Sequence, residues 1–323
     1  MNLKPTLAEW IADFTTSEAR KNIEHIEIMP ATNGVYAPLP SDLHPKLASA
    51  LLSRGITQLY SHQAEAYHHA MHQQSFTAVT PTASGKSLCY HLPVLQTILT
   101  NPSSRALYLF PTKALAQDQK NAVNDLIEAI DAPILSYTYD GDTSPGIRTK
   151  VRKAGHIVMT NPDMLRAAIL PHHTKWVSLF ENLDYIVIDE LHTYKGVFGS
   201  HVAHVLRRLK RICHYYGSNP TFICTSATIK NPQQLAEALT NEPQQLIAKS
   251  GAPTGQKTFL FYNPPVIHPT FGVRRSAILE VKDIAKKLYE AKIQTIVFAK
   301  SRVRVEMLVT YLKSLTAKKI NDQ

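Results

Sequence analysis

The chain has 323 residues, too many for one ordinary domain and too few for several large ones, so one full domain and an incomplete second are expected. Hydrophobic residues make up 44% and charged residues 19%, with scattered glycine and no biased tract, which suits a packed globular core and argues against disorder except at the ends. A formal charge of +10 and a pI near 9.4 suit a polyanionic partner, although an ordinary solvated surface has the same balance.

The amino terminus, MNLKPTLAEWIADF, lacks the basic-then-apolar design of a secretory signal, and no apolar run is long enough to span a bilayer. A cytoplasmic protein with no membrane partner is expected. Residues 1–55, broken by Pro38, Pro40 and Pro45, read as an N-terminal accessory segment. Short apolar runs follow at Phe76 to Thr80, Ala106 to Phe110, Ile134 to Tyr139, Ile157 to Thr160, Tyr185 to Asp189 and Thr221 to Ser226. Such runs mark strands buried on both faces, and helical patterns between them, such as Ala114 to Ile130 and His201 to Tyr215, supply crossovers. The expected fold is α/β, a doubly wound parallel sheet over residues 56–247.

In the helix over 201–215, Arg207, Arg208, Lys210 and Arg211 lie opposite Val202, Leu206 and Leu209 and read as a solvated face. A linker over 248–256 contains GAPTG. Residues 257–323 then begin a second α/β layer, with strands at Lys257 to Tyr262 and Gln294 to Phe298 and helices at Arg274 to Ala291 and Val303 to Leu315. Two strands and two helices cannot close such a layer, so this second domain is expected to be cut short. Cys89, Cys213 and Cys224 form no CxxC pair and read as reduced, buried thiols; no HExxH or similar metal spacing occurs.

The strongest local signal is TPTASGKS, Thr80 to Ser87, directly after a predicted strand and opening a helix that carries Leu88, Leu92, Leu95 and Leu99. A loop of successive backbone N–H groups at Thr82, Ala83, Ser84 and Gly85 cradles polyphosphate, Lys86 neutralises its charge, and the Ser87 hydroxyl can coordinate Mg2+. Thr80 stands where the general pattern has its first glycine. In YIVIDELH, Tyr185 to His192, a buried strand runs into Asp189 and Glu190 at its carboxyl end, where parallel sheets bind ligands. Asp189 would hold Mg2+ through water and Glu190 would orient and deprotonate an attacking water. Alone, the pair reads equally as an exposed acidic turn; a phosphate loop about a hundred residues upstream makes it specific.

Further motifs follow in chain order: GITQLYSHQ at 55–63, FPTKALAQDQ at 110–119, YDGDT at 139–143, TNPDML at 160–165, TSAT at 225–228 and FAKSRVRVE at 298–306. With the two sites above, these resemble the DEAD/DEAH-box helicases of superfamily 2. TPTASGKSLCYHLPV, DELHTYKGVFGSHVAHVLRRLKRI and VFAKSRVRVE resemble most the bacterial YprA-like branch, the mitomycin repair helicases, related to the RecQ-like repair helicases of fungi.

The resemblance implies a RecA-like P-loop NTPase fold, ATP and Mg2+ as cofactors, and a single-stranded or 3′-tailed DNA partner on which movement runs 3′ to 5′ in DNA repair. It implies that Gln63 bonds the adenine edge, that Pro111, Thr112, Lys113, Gly141, Thr160 and Asn161 contact nucleic acid, and that His192, Ser226 and Thr228 couple hydrolysis to movement. The arginines that the family's second motor domain supplies are not in place, since Arg302 and Arg304 do not occupy the position of an arginine finger. An RNA helicase with the same ATP chemistry, or a truncated ATP- and nucleic-acid-binding module without unwinding activity, remains open.

Overall fold

A computed structural model describes residues 5–321; the first four residues of the amino-terminal stretch and the last two of the expected second domain lie outside the described residues. The chain divides into two compact units, Thr32–Thr254 and a smaller one that combines Met1–Ala31 with Gly255–Gln323.

The larger unit is built on seven strands: β1 (Phe76–Val79), β2 (Arg105–Leu109), β3 (Ser136–Thr138), β4 (Ile157–Thr160), β5 (Leu183–Ile188), β6 (Thr221–Ser226) and β7 (Gln245–Ile247). They pair in the order β7-β1-β6-β5-β2-β4-β3, and every pair is parallel. The side-chain period of two explains the apolar runs. In and just after β2, Ala106, Tyr108 and Phe110 enter one core while Leu107 and Leu109 enter the other.

Helices α1 (Leu88–Thr100), α2 (Lys113–Ile130), α3 (Pro145–Ala154), α4 (Gly196–Tyr215) and α5 (Pro232–Thr240) make the crossovers. In α4, Val202, Leu206, Leu209 and Cys213 recur on one buried stripe, whereas Arg207, Arg208 and Arg211 are exposed. Lys210 is tied down, pairing with Glu242 and donating to the Asn241 carbonyl at 3.0 Å. Gly199 has no room for a side chain, because a Cβ there would run into the Tyr194 carbonyl. All three cysteines are free and buried, and burial pushes the thiols of Cys89, Cys213 and Cys224 up to about 12.

The expected accessory segment 1–55 is divided between the two units. Its later part belongs to the sheet domain: Tyr36–Pro38 pairs antiparallel with Gln58–Tyr60, and helix Pro45–Ser53 buries Leu47 and Leu51 completely. Pro45 does not break this region; it occupies the first turn of the helix, where its missing N–H has no partner to lose. Within the expected linker 248–256, Gly251 and Ala252 are buried, and the division between units falls at Thr254.

In the smaller unit, Ile23–Met29 pairs antiparallel with Lys257–Tyr262. Helix Leu7–Thr16, closed by the Thr6/Glu9 capping box, places Phe14 against Tyr262 with ring centroids 5.8 Å apart. Helices Ala277–Glu290 and Arg302–Asn321 form where helical patterns were expected. The strand expected at Gln294 to Phe298 does not form. Its apolar content matches a strand, but a strand exists through its ladder, and among the described residues none pairs with it; Ile296 and Phe298 stand 75% and 91% exposed. Among the described residues no helix is long and apolar enough to cross a membrane.

Candidate nucleotide site and adjoining loops

The carboxyl ends of β1, β6 and β5 lie side by side, and each delivers one part of the site. From β1 runs the loop 80–87. Ala83 and Gly85 take positive φ, +62° and +77°, on either side of Ser84, an alternation that turns successive N–H groups to one side and so favours an anion. Thr80, in place of a first glycine, is buried with its hydroxyl 2.6 Å from that of Ser84, which ties the start of the loop to its middle. Lys86 Nζ donates to the Thr80 carbonyl at 3.1 Å and the Ser226 carbonyl at 3.2 Å, spanning β1 and β6. Ser87 begins α1 without using its hydroxyl as a cap, which leaves that oxygen for a ligand. Thr82, Ala83 and Gly85 are exposed on the loop's open side.

Asp189, at the end of β5, is 8% exposed. Burial raises its carboxyl above the usual range, opposed by hydrogen bonds from the Thr225 hydroxyl and the Glu190 N–H. Both bonds end on Oδ1, the second at 2.9 Å. Oδ2 is thereby the oxygen left for a cation or its water. Glu190 sits in the left-handed region at φ +52°, which costs a non-glycine residue about 1 to 2 kcal/mol and aims its side chain off the strand axis. Its Oε2 lies 3.2 Å from His192 Nδ1. On β6, Ser226 is fully buried with no partner for its Oγ, and Thr228 is exposed two residues on.

Beside the loop lies a cleft of about 540 Å3, lined among others by Tyr36, Arg54, Tyr60, Gln63, Gly85 and Ser87. Gln63 Oε1 accepts from the Tyr60 N–H at 3.0 Å and its Nε2 donates to the Gly85 carbonyl at 3.0 Å. A primary amide has two N–H donors and two lone pairs, so one of each remains, the pair that matches the N6/N7 edge of adenine.

The loops singled out for nucleic acid gather at the ends of the neighbouring strands β2, β4 and β3. After β2, Pro111 is half-buried and Thr112 caps α2 by accepting from the Leu115 N–H at 3.3 Å. Lys113 is exposed and pairs with Asp142 at 2.6 Å, beside the exposed Gly141. After β4, Thr160 is buried and its hydroxyl donates to the Tyr139 carbonyl at 2.7 Å, while Asn161 Oδ1 accepts from the Met164 N–H at 2.8 Å. Thr112, Thr160 and Asn161 therefore use their side chains to shape loops, and what those loops offer outward is chiefly main chain and Lys113. Sequence reasoning held Thr225 only as part of TSAT, with no role toward Asp189, and missed Tyr36 and Arg54. The first could have been found as a buried hydroxyl at the end of a strand beside a carboxylate; the other two lay in the segment read as accessory.

A model of the DEAD/DEAH box helicase family matches residues 60–235. The chain is 57% identical over 320 residues to the ATP-dependent helicase YprA of Bacillus subtilis, covering 99% of this chain and 42% of that protein. It is 38% identical to the ATP-dependent helicase hrq1 of Schizosaccharomyces pombe, covering 94% of this chain and 29% of the relative. A crystal structure of the DUF1998 helicase MrfA bound to DNA superposes with a TM-score of 0.94 at 56% identity, covering 98% of this chain and 42% of that one. The chain thus spans less than half the length of each of these three proteins.

Proposed function

The chain belongs to the DEAD/DEAH box helicase family, and we propose that it is the ATP-binding portion of an ATP-dependent DNA helicase or translocase of the repair type, acting in the cytoplasm. The observation that carries this reading is the meeting of Lys86, Asp189 and the Thr225–Ser226 pair at three adjacent strand ends, with Lys86 bonded to the Ser226 carbonyl at 3.2 Å. A phosphate loop, a metal-binding carboxylate and a third strand end that touches both are what a motor needs in order to sense its own nucleotide.

In this reading Thr82, Ala83, Ser84 and Gly85 hold phosphate through the main chain, Lys86 offsets its charge, and Gln63 selects adenine. Ser87 and Asp189 Oδ2 fit Mg2+, which when bound offsets charge on the transferring phosphoryl group. Glu190 takes the proton of the attacking water. His192, Ser226 and Thr228 carry the change at the phosphate outward; the unpartnered Oγ of Ser226 is a group that a shift in Lys86 or the ligand would engage. The loops bearing Pro111, Thr112, Lys113, Gly141, Thr160 and Asn161 grip single-stranded or 3′-tailed DNA through its phosphates. The unit Thr32–Thr254, within which residues 56–247 were expected, serves as the first motor domain, and residues 257–323 supply elements of the second. The relation to MrfA, crystallised on DNA, favours DNA over RNA.

The test is ATP hydrolysis with and without single-stranded DNA or RNA across a salt series, beside a Lys86→Ala control. DNA binding that falls steeply with salt and ATP turnover that vanishes in the control are expected. Lys86-independent turnover, or a flat salt response, would overturn the reading.

A further inference from the structure

Next to Gln63 stands a residue that the nucleotide chemistry leaves unassigned. His62 is completely buried in the first turn of helix Ser61–Met71. Its Nδ1 accepts the Gly251 N–H at 3.1 Å, a link across 189 positions. Accepting at Nδ1 puts the proton of the neutral ring on Nε2, and burial, the larger influence, favours that neutral form. Nε2 is buried too and has no hydrogen-bond partner among the described residues, while the Ser84 main chain of the phosphate loop stands close enough to the ring to favour its protonated form. A buried donor without an acceptor is costly, so an arrangement that brings the Ser84 carbonyl into line is favoured.

Gly251 is fixed from the other side as well. Its carbonyl accepts from Val35 N–H at 2.8 Å, Ser61 N–H donates to the Val35 carbonyl at 2.9 Å, and a Cβ on Gly251 would collide with Ser61. Three residues later, at Thr254, the chain leaves this unit. Successive residues therefore hold different things: Gln63 holds Gly85, and His62 stands between Ser84 and Gly251.

Resting on the nucleotide site described above, we propose that His62 is a positioning residue, whose imidazole links the phosphate loop at Ser84 to the exit segment at Gly251. When phosphate seats in the loop, the Ser84 carbonyl accepts a hydrogen bond from Nε2–H, the ring is fixed, and the Gly251 N–H is held more firmly on Nδ1. The ring passes the occupancy of the loop to the segment through which the chain leaves the domain, without touching the nucleotide.

Two conservative variants separate the ring's two ends. In His62→Asn the side-chain amide oxygen can replace Nδ1 toward Gly251 but nothing reaches Ser84; in His62→Gln the amide nitrogen can replace Nε2 toward Ser84 but the Gly251 N–H loses its acceptor. The readouts, on the 323-residue chain, are the affinity for a non-hydrolysable ATP analogue and amide hydrogen exchange across residues 250–254, with and without that analogue. In the parent, the analogue should slow exchange at Gly251. His62→Asn should bind the analogue about fivefold more weakly, keep the basal protection of Gly251 and lose its response to the analogue. His62→Gln should bind nearly as the parent does while Gly251 exchanges faster in both states. Urea unfolding of both variants separates a change in overall stability from this crossed pattern. If both variants keep the parent's affinity and its exchange response, or lose both together in proportion to stability, the link is refuted. A parent that binds no analogue would instead remove the nucleotide site on which the inference rests.

Discussion

Replacing Thr225 by valine keeps the shape of a fully buried side chain and removes one hydrogen bond, that from its hydroxyl to Asp189 Oδ1. A hydrogen bond to a charged group contributes about 1.5 to 3 kcal/mol. Asp189 is already raised by burial, and among the described residues the Thr225 hydroxyl and the Glu190 N–H are its hydrogen-bond donors. Thr225→Val should therefore cost about 2 kcal/mol of stability at neutral pH and push the Asp189 carboxyl up further. The sign follows from which form the metal needs. Cation binding requires the carboxylate, so as pH falls Mg2+-dependent nucleotide binding should fail at a higher pH in Thr225→Val than in the parent. The stability difference should itself shrink in acid, where Asp189 is protonated in both proteins. Titration of a fluorescent ATP analogue against Mg2+ from pH 5 to pH 8, with urea unfolding alongside, measures both effects. Thr225→Ser retains the hydroxyl and should restore most of each. A serine variant as impaired as the valine one, or a valine variant with the parent's pH dependence, would show that the hydroxyl does not tune Asp189.

Lys86→Ala should weaken ATP binding by about 2 to 3 kcal/mol, some thirtyfold or more by equilibrium titration, because a charge-assisted phosphate contact is lost; unchanged affinity would exclude Lys86 from the site. Glu190→Gln should retain Mg2+-ATP binding and lose hydrolysis, since the amide holds water but takes no proton, and parental turnover would rule Glu190 out as the base. His91 is fully buried and burial holds its imidazole down at about 3, so the folded state refuses a proton that the unfolded state accepts below about pH 6.5. Stability should accordingly fall as pH drops, by about 2 kcal/mol from this residue between pH 7 and pH 5. His62 and His156, also lowered by burial, add to the same slope. Urea unfolding at the two pH values should show a shallower dependence in His91→Asn, and an identical slope would show that His91 does not carry it.

What could be read in advance and what could not divide along a physical line. Strands such as Ile157–Thr160 announce themselves because both faces are buried, so nearly every side chain is apolar, and the phosphate loop announces itself because its Gly85 and Lys86 are required by conformation and charge. These are local demands on residue type. The bond from Thr225 to Asp189 joins positions 36 apart and exists only because β5 and β6 are neighbours, an order fixed by packing of the whole sheet. Tyr36 is likewise opaque until its strand is laid against Gln58–Tyr60, which brings it to the cleft of Gln63. The opposite error occurs at Gln294 to Phe298, where side-chain preference suits a strand but no ladder is formed. Backbone strain is harder still. Ala83 and Glu190 adopt positive φ although neither is glycine, and no residue type signals it in advance. At Glu190 the surrounding contacts hold the conformation: Asp189 Oδ1 accepts from the Glu190 N–H, and Thr193 N–H and hydroxyl both donate to the Glu190 carbonyl, at 2.9 and 2.8 Å. Both the N–H and the carbonyl of Glu190 are thus committed before its side chain is considered. The carboxylate's direction is thereby set by its main chain, which suits the proposed role of Glu190 as a base held in one direction.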